Sequence, residues 1–139
     1  MPTGASTRSP VSLAGWGILM PSTGPTSFVR RGEVAGLLLV GHQNLRDGTI
    51  QRTILEFGDL YVQPKYRDQG IATEVIRQTI LATDHPWLVY VFRDDVRALA
   101  FWDRAFKRLP FSSVREVVPP DVPEFVEFVV NDAARPPPV

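Results

Sequence analysis

The residues with the clearest chemical meaning lie at positions 67–73, where a polar stretch gives way to an amphipathic pattern that begins at Gly70. The first N–H groups of a helix lack internal partners, and the helix dipole is positive at that end. Phosphate groups bind well there because several N–H donors point toward them. Gly70 has no side chain to obstruct a ligand that approaches the backbone, and Arg67 adds a permanent positive charge. The spacing therefore predicts a phosphate-binding turn.

A strand must lead into this turn and a helix must leave it. Apolar residues at 60–62 predict the buried strand, and Asp84-His85-Pro86 ends the helix. The six apolar residues Trp87–Phe92 predict a strand that is covered on both faces and paired in parallel, which makes a right-handed strand–helix–strand crossover. Within the helix, apolar residues recur at the spacing of one packed face, at Ile71, Ala72, Val75, Ile76 and Ile80.

Turn-forming residues divide the remainder of the chain into further elements. Residues 22–25 read as a turn, Gly32 as the end of a β-hairpin, and 44–48 as a turn with Asp47-Gly48 at its tip. Asp94 or Asp95 would cap a second helix that ends before Pro110. Further strands are predicted at 16–20, 27–30, 34–40, 49–62, 111–118 and 125–130. The strand at 34–40 is apolar on both faces and is therefore expected in the interior of the sheet.

Residues 62–72 read Val-x-Pro-x-Tyr-Arg-Asp-Gln-Gly-Ile-Ala. This stretch resembles the acetyl-CoA signature of the GNAT N-acetyltransferase superfamily, whose core is Arg/Gln-x-x-Gly-x-Gly/Ala. The Asp-Leu-Tyr-Val strand before it and the amphipathic helix behind it make the resemblance specific. It implies an α/β fold of GNAT type, a central mixed β-sheet flanked by helices, over residues 27–130.

The resemblance also implies acetyl-CoA as the acyl donor. In the family the loop amides hold the CoA pyrophosphate, and the strand before the loop pairs with the pantetheine arm. An ordinary strand–loop–helix turn without a ligand is the alternative. Carried onto this chain, the pantetheine arm would meet the main chain of Leu60, Tyr61 and Val62. The pyrophosphate would meet Arg67, Asp68, Gln69, Gly70, Ile71 and Ala72, and Thr73 would add a hydroxyl.

A second landmark lies in the next helix, where residues 95–102 are similar to the GNAT pattern Asn-x-x-Ala-x-x-Phe-Tyr. The resemblance implies that Asp95, Ala98 and Trp102 line the CoA arm. The family's Tyr is often credited with reprotonating the thiolate, and an indole N–H does not titrate usefully, so Trp102 cannot take that role. Packing of the aromatic pair on the sheet is the alternative.

Two carboxylates on the strand before the loop are candidates for the catalytic base. Glu56 and Asp59 both precede the signature, and Asp59 alternates away from Leu60 and Val62. A carboxylate there would take an ammonium proton through a water molecule, or attract a cationic amine. A strand-end carboxylate in solvent is the alternative reading.

These observations predict an N-acetyltransferase that moves an acetyl group from acetyl-CoA to a primary amine by direct attack in a ternary complex. A non-catalytic CoA-binding or protein-interaction module on the same fold is the alternative, and a purely structural domain is a third reading.

GNAT domains usually carry a strand and two helices before the hairpin, whereas residues 1–26 here are predicted to form a short, partly disordered segment. A second subunit would then complete the acceptor wall, as a homodimer. Residues 131–139 read as a disordered, proline-rich tail.

Composition excludes several other classes. Fifteen basic and fifteen acidic residues cancel, so the chain has no electrostatic footprint for nucleic acid or an anionic membrane. The absence of cysteine excludes disulfides, thiolate zinc sites and a Cys nucleophile, and it fits a cytoplasmic protein. His42 and His85 have no metal-ligand spacing, so no metal is expected, and no apolar run is long enough to span a bilayer.

Overall fold

The computed structural model describes residues 11–13, 16–18, 24–30 and 32–132. These residues belong to two compact units, one built from residues up to Gly41 with Phe57–Ala82, the other from His42–Glu56 with residues from Thr83 onward. The elements in chain order are β1 (Val11–Leu13), β2 (Trp16–Ile18), β3 (Gly24–Arg30), β4 (Glu33–Asp47), β5 (Ile50–Val62), α1 (Ile71–Gln78), β6 (Trp87–Phe92), α2 (Val96–Arg108), β7 (Val114–Glu116) and β8 (Phe125–Val130).

In the first unit, strands β1 to β4 pair antiparallel in sequence order. The β3–β4 register shifts between Phe28 and Val29, which pair with Gly36 and Val34, so Ala35 is an extra residue in a β-bulge. β4 lies between β3 and β5 in the strand order, as predicted. Its faces differ, however, because the side chains of Leu38 and Val40 are buried and those of Val34, Leu37 and Leu39 are 43–44% exposed.

The turn predicted at residues 22–25 is wrong for Gly24 and Pro25, because both residues belong to β3. β2 pairs with β3 only through Phe28–Arg30. Among the described residues, Pro25 therefore has a partner only in β4, and a residue paired on one side only is a position where sheets tolerate proline. The predicted strand at 16–20 is confirmed for Trp16–Ile18, and its last two residues lie outside the described part of the chain, as do residues 1–10 and 133–139.

Helix α1 is shorter than its apolar pattern predicts. Ile71, Val75 and Ile76 are buried as expected, and Ile80 is buried beyond the end of the helix. The helix ends at Gln78 because Thr79 leaves helical geometry at φ −112° and ψ −81°. Its hydroxyl donates to the carbonyl of Val75 at 2.7 Å, so a side chain completes the last turn.

In the second unit, β8 lies between β6 and β7 and pairs antiparallel with both. The predicted strands at 87–92 and 125–130 are confirmed in full, whereas β7 covers only part of the predicted 111–118. The parallel pairing that the sequence predicts for β6 stays a prediction. A core cluster on one face of this sheet consists of Leu45, Ile54, Leu88, Val117 and Val129. Helix α2 contacts the other face, where the rings of Phe106 and Phe128 lie 4.9 Å apart.

The turn predicted at 44–48 is wrong, because β4 continues to Asp47 and only Gly48 and Thr49 form the turn. Asp47 is 1% exposed. Arg115 holds both of its oxygens, at 3.0 and 2.8 Å, and Arg52 lies 3.3 Å away. Because two guanidinium groups balance the buried carboxylate, a polar stretch that resembles a loop forms a strand here.

Candidate active site

The polar segment between β5 and α1 is ordered by short-range backbone bonds. Pro64–Tyr66 form a single 3-10 turn, in which the amide of Tyr66 donates to the carbonyl of Gln63 at 2.9 Å. The amide of Arg67 donates to the carbonyl of Pro64 at 3.2 Å. Proline suits the first position of such a turn because its φ is fixed and it has no N–H to satisfy. The chain therefore leaves β5 along a defined path.

Two residues in left-handed conformation follow, Asp68 at φ +61° and Gly70 at φ +75°. Aspartate tolerates this region better than most residues, and glycine adopts it at no steric cost. A Cβ built on Gly70 meets no atom within 4 Å. The backbone conformation is therefore sufficient to explain the glycine, and the space on that side is open to a ligand.

The start of α1 offers a group of unpaired N–H donors. Gly70 is the N-cap and receives the first helical bond, from the amide of Glu74 at 3.1 Å, and no side chain caps the helix. Among the described residues, none supplies an acceptor to the amides of Gly70, Ile71, Ala72 or Thr73. Free amides at the positive end of a helix are the arrangement that binds phosphate.

The side chain of Arg67 contacts the end of β5, the strand before the loop. Its Nε donates to the carbonyl of Val62 at 2.8 Å, and its guanidinium carbon stands 5.6 Å from the ring centroid of Tyr61. Its two terminal nitrogens have no partner in the part of the chain that the structure describes. The cation therefore stays at the loop with two donors available for an anion.

The beginning of β4 contacts the segment before the loop at three consecutive residues. The amide of Gln63 donates to the carbonyl of Ala35 at 2.7 Å, and its side-chain amide donates to the carbonyl of Val34. Glu33 accepts from Lys65 at 2.7 Å and from the hydroxyl of Tyr66 at 2.5 Å. The hydrogen bonds from Lys65 and Tyr66 lower the pKa of Glu33, so its carboxylate stays charged at neutral pH.

No local sequence pattern predicts these contacts, because the partners lie 28 to 33 positions apart. The one usable signal is opposite charge, since Glu33 immediately precedes the strand predicted at 34–40 and Lys65 lies in the polar stretch before Gly70. Such a pair is too common in sequences to single out these two residues.

Asp59, Leu60, Tyr61 and Val62 lie on β5 in the first unit. Asp59 and Tyr61 are exposed, and Leu60 and Val62 are half-buried. The predicted alternation of Asp59 away from Leu60 and Val62 is therefore confirmed. Glu56, the other candidate base, lies on β5 in the second unit and is half-buried.

The remaining predicted site residues belong to α2 in the second unit. Asp95 caps this helix, as predicted, by accepting a hydrogen bond from the amide of Ala98 at 3.0 Å. Trp102 is 8% exposed and contacts the rings of Phe101 and Phe106, both at 5.5 Å between centroids. The aromatic residues of α2 thus pack against one another.

Removing the cap should destabilise the second unit. We expect Asp95→Ala to lower the free energy of unfolding by about 1 kcal/mol, because the amide of Ala98 loses its acceptor. Asp95→Asn should keep most of that stability, since its side-chain oxygen also accepts. Urea denaturation measures the difference, with Asp94→Ala as the neighbouring control. Equal losses for Asp94→Ala and Asp95→Ala would contradict the capping role.

No group of three metal-ligating side chains occurs in the part of the chain that the structure describes. Among those same residues, no helix is both long and apolar enough to cross a membrane. The candidate site in the first unit consists of the unpaired amides at the start of α1, the guanidinium of Arg67 and the exposed carboxylate of Asp59.

The family model of the Acetyltransferase (GNAT) family matches residues 7–106. The chain belongs to this family. Its mixed sheet with two helices is the GNAT fold, which confirms the predicted fold class. The protein is an acyltransferase, and the acyl donor of the family is acetyl-CoA.

Solved structures of acetyltransferases resemble this chain at low identity. NAA60 from Arabidopsis thaliana with a bisubstrate analogue is 18% identical over 76% of this chain and 72% of its own, with a TM-score of 0.47. NAA60 with acetyl-CoA is 17% identical over 76% and 73%, with a TM-score of 0.48. An acetyltransferase from Agrobacterium tumefaciens str. C58 is 16% identical over 78% and 60%, with a TM-score of 0.49. No curated protein matches the sequence.

Proposed function

We propose that this protein transfers the acetyl group of acetyl-CoA to a primary amine, and that the amine attacks the thioester directly in a ternary complex. The observation that carries the proposal is the set of unpaired amides from Gly70 to Thr73 behind a GNAT signature. A Cβ at Gly70 would meet no atom of the described residues within 4 Å outside its chain neighbours, so no side chain packs against that position.

The donor would lie along β5 and the loop. The amides from Asp68 to Thr73 would face the pyrophosphate, with the terminal nitrogens of Arg67 and the hydroxyl of Thr73 as further donors. The main chain of residues 60–62 would pair with the pantetheine amides. The carbonyl of Val62 already accepts from Arg67, but a carbonyl oxygen has two lone pairs, so both bonds are compatible.

In the reaction, the nitrogen lone pair of the amine forms a bond to the thioester carbonyl carbon, and the carbon–sulfur bond breaks. The ammonium form of the acceptor must first lose a proton, which Asp59 would take through a water molecule. Its exposed position on β5 supports this role. Glu56 is the second candidate base. After the attack the nitrogen loses its second proton, which would reach the departing thiolate through water, because the indole of Trp102 does not titrate.

From the family pattern at residues 95–102 alone, we propose that Asp95, Ala98 and Trp102 contact the CoA arm. Within α2, one oxygen of Asp95 is engaged in the helix cap. A homodimer that completes the acceptor site and a cytoplasmic location are further proposals. The exposed side chains of Val34, Leu37 and Leu39 on β4 are the feature that favours a second subunit.

Isothermal titration and a thiol-release assay test the proposal together. We expect acetyl-CoA to bind, and pantetheine, which lacks the pyrophosphate, to bind about a hundredfold more weakly because the charged hydrogen bonds are lost. At least one member of a panel of primary amines should release free CoA. Binding without turnover would favour the non-catalytic CoA-binding module. No binding at millimolar acetyl-CoA would overturn both functions.

A further inference from the structure

We propose that Glu33 is a positioning residue for the donor site, and this inference rests on the proposed function. Glu33, Val34 and Ala35 are consecutive residues at the start of β4, and each accepts at least one hydrogen bond from residues 63–66. We call these three residues the β4 anchor. The segment that they hold leads directly into the loop that would bind the pyrophosphate.

The main-chain part of the anchor depends on the bulge in β4. Ala35 has no partner residue in β3, and its carbonyl accepts from the amide of Gln63 at 2.7 Å. Gln63 immediately follows the last residue of β5. Bulges often redirect a strand next to a functional site. The bulge in β4 thereby fixes the point at which the chain leaves β5.

The side-chain part of the anchor is the carboxylate of Glu33. One oxygen accepts from Tyr66 at 2.5 Å, and the other lies 2.7 Å from Nζ of Lys65. Lys65 and Tyr66 both belong to the 3-10 turn that precedes Arg67. A single carboxylate therefore joins two residues of the turn to β4.

The exposure of this cluster separates a positioning role from a stabilising one. The side chains of Lys65 and Glu33 are 58% and 47% exposed. Exposed ion pairs contribute little to global stability. Ordering of the loop is different, because Asp68 and Gly70 need left-handed conformations and the unpaired amides cannot hold the loop by themselves. A pre-ordered loop binds its ligand at a smaller entropic cost.

Steady-state kinetics of Glu33→Ala test the inference. We expect KM for acetyl-CoA to rise about fivefold, because the free energy that an exposed ion pair contributes corresponds to about that factor in affinity. The value of kcat and the KM for the amine should both stay unchanged. Glu33→Gln should restore part of the loss, because its amide oxygen still accepts from Tyr66. Tyr66→Phe added to Glu33→Ala should cause less change than Tyr66→Phe alone, since Glu33→Ala has already removed the hydrogen bond between Tyr66 and Glu33.

The control is a second exposed ion pair. Asp103 lies 3.1 Å from Lys107, and the side chains are 66% and 74% exposed. Asp103→Ala should leave KM for acetyl-CoA unchanged. A melting temperature that falls in Glu33→Ala while KM stays constant would indicate a structural role and overturn the inference.

Hydrogen exchange makes the inference testable without the donor. The amides of Gln63, Tyr66 and Arg67, which donate to backbone carbonyls, should exchange faster in Glu33→Ala than in wild type or Asp103→Ala, by about a fewfold, in line with the small energy of one exposed pair. Unchanged exchange would overturn the positioning role even if acetyl-CoA binds. If exchange rises but wild type does not bind acetyl-CoA, the positioning of the loop stands and the proposed function fails.

Discussion

Gly70→Val should weaken acetyl-CoA binding by about a hundredfold or more, which is about 2.7 kcal/mol of binding free energy. Gly70 has φ +75°, a conformation that a β-branched residue occupies only with strain. Relief of that strain rotates the peptide units that carry the amides of Gly70 and Ile71. The valine side chain would also enter the space beside Gly70, which no protein atom fills within 4 Å. Isothermal titration measures the change.

Gly48 is a matched control for this substitution. It has φ +66° in the turn between β4 and β5, and a Cβ there also meets no atom within 4 Å. Gly48→Val should therefore cost similar stability and leave the affinity for acetyl-CoA unchanged. Gly70→Asn separates the two causes, because asparagine tolerates the left-handed region and still places a side chain beside the amides. Wild-type affinity in Gly70→Val would contradict the loop assignment.

Asp59→Asn should lower kcat/KM by about 10²–10⁴-fold at neutral pH, the range of general base catalysis. Asparagine has nearly the same shape as aspartate but cannot take a proton from the acceptor ammonium. The dissociation constant of acetyl-CoA should not change, since the proposed donor contacts of β5 use the main chain. Initial rates and titrations on the same preparations separate the two effects.

The pH profile strengthens this test. As pH rises, solvent deprotonates a larger share of the amine, so the rate of Asp59→Asn should approach that of wild type. Asp84→Asn, an exposed carboxylate before β6, should behave as wild type throughout. Full activity of Asp59→Asn at neutral pH would contradict the assignment. If Glu56→Gln alone is impaired, Glu56 is the base.

Sequence patterns predicted those elements of the fold whose formation depends on residues close together in the chain. Six consecutive apolar residues predicted β6, and the aspartates before an apolar helical stripe predicted a cap of α2 by Asp94 or Asp95, of which Asp95 is the cap. The end of β4 could not be predicted in the same way. Asp47 is buried there beside Arg52 and Arg115, and Arg115, which holds both carboxylate oxygens, lies 68 positions away. A strand that depends on a distant ion pair resembles a loop in its own sequence.

In the candidate site too, features that depend on adjacent residues were predicted, and features that depend on distant residues were not. The glycine and the helix start predicted the turn, because left-handed backbone and unpaired amides follow from adjacent residues. The orientation of Arg67 against Val62 and Tyr61 depends on a rotamer, which sequence spacing does not determine. The β4 anchor depends on pairing between distant segments, and Glu33 was therefore absent from the predicted residues.

A crystal structure of the complex with acetyl-CoA tests the donor site most directly. The distances to measure join the backbone nitrogens of residues 70–73 to the pyrophosphate oxygens. We predict that at least two of these distances lie at about 2.7–3.2 Å, the range of an N–H···O hydrogen bond. A pyrophosphate bound elsewhere on the protein, with those nitrogens out of hydrogen-bond reach, would contradict the proposed mode of donor binding.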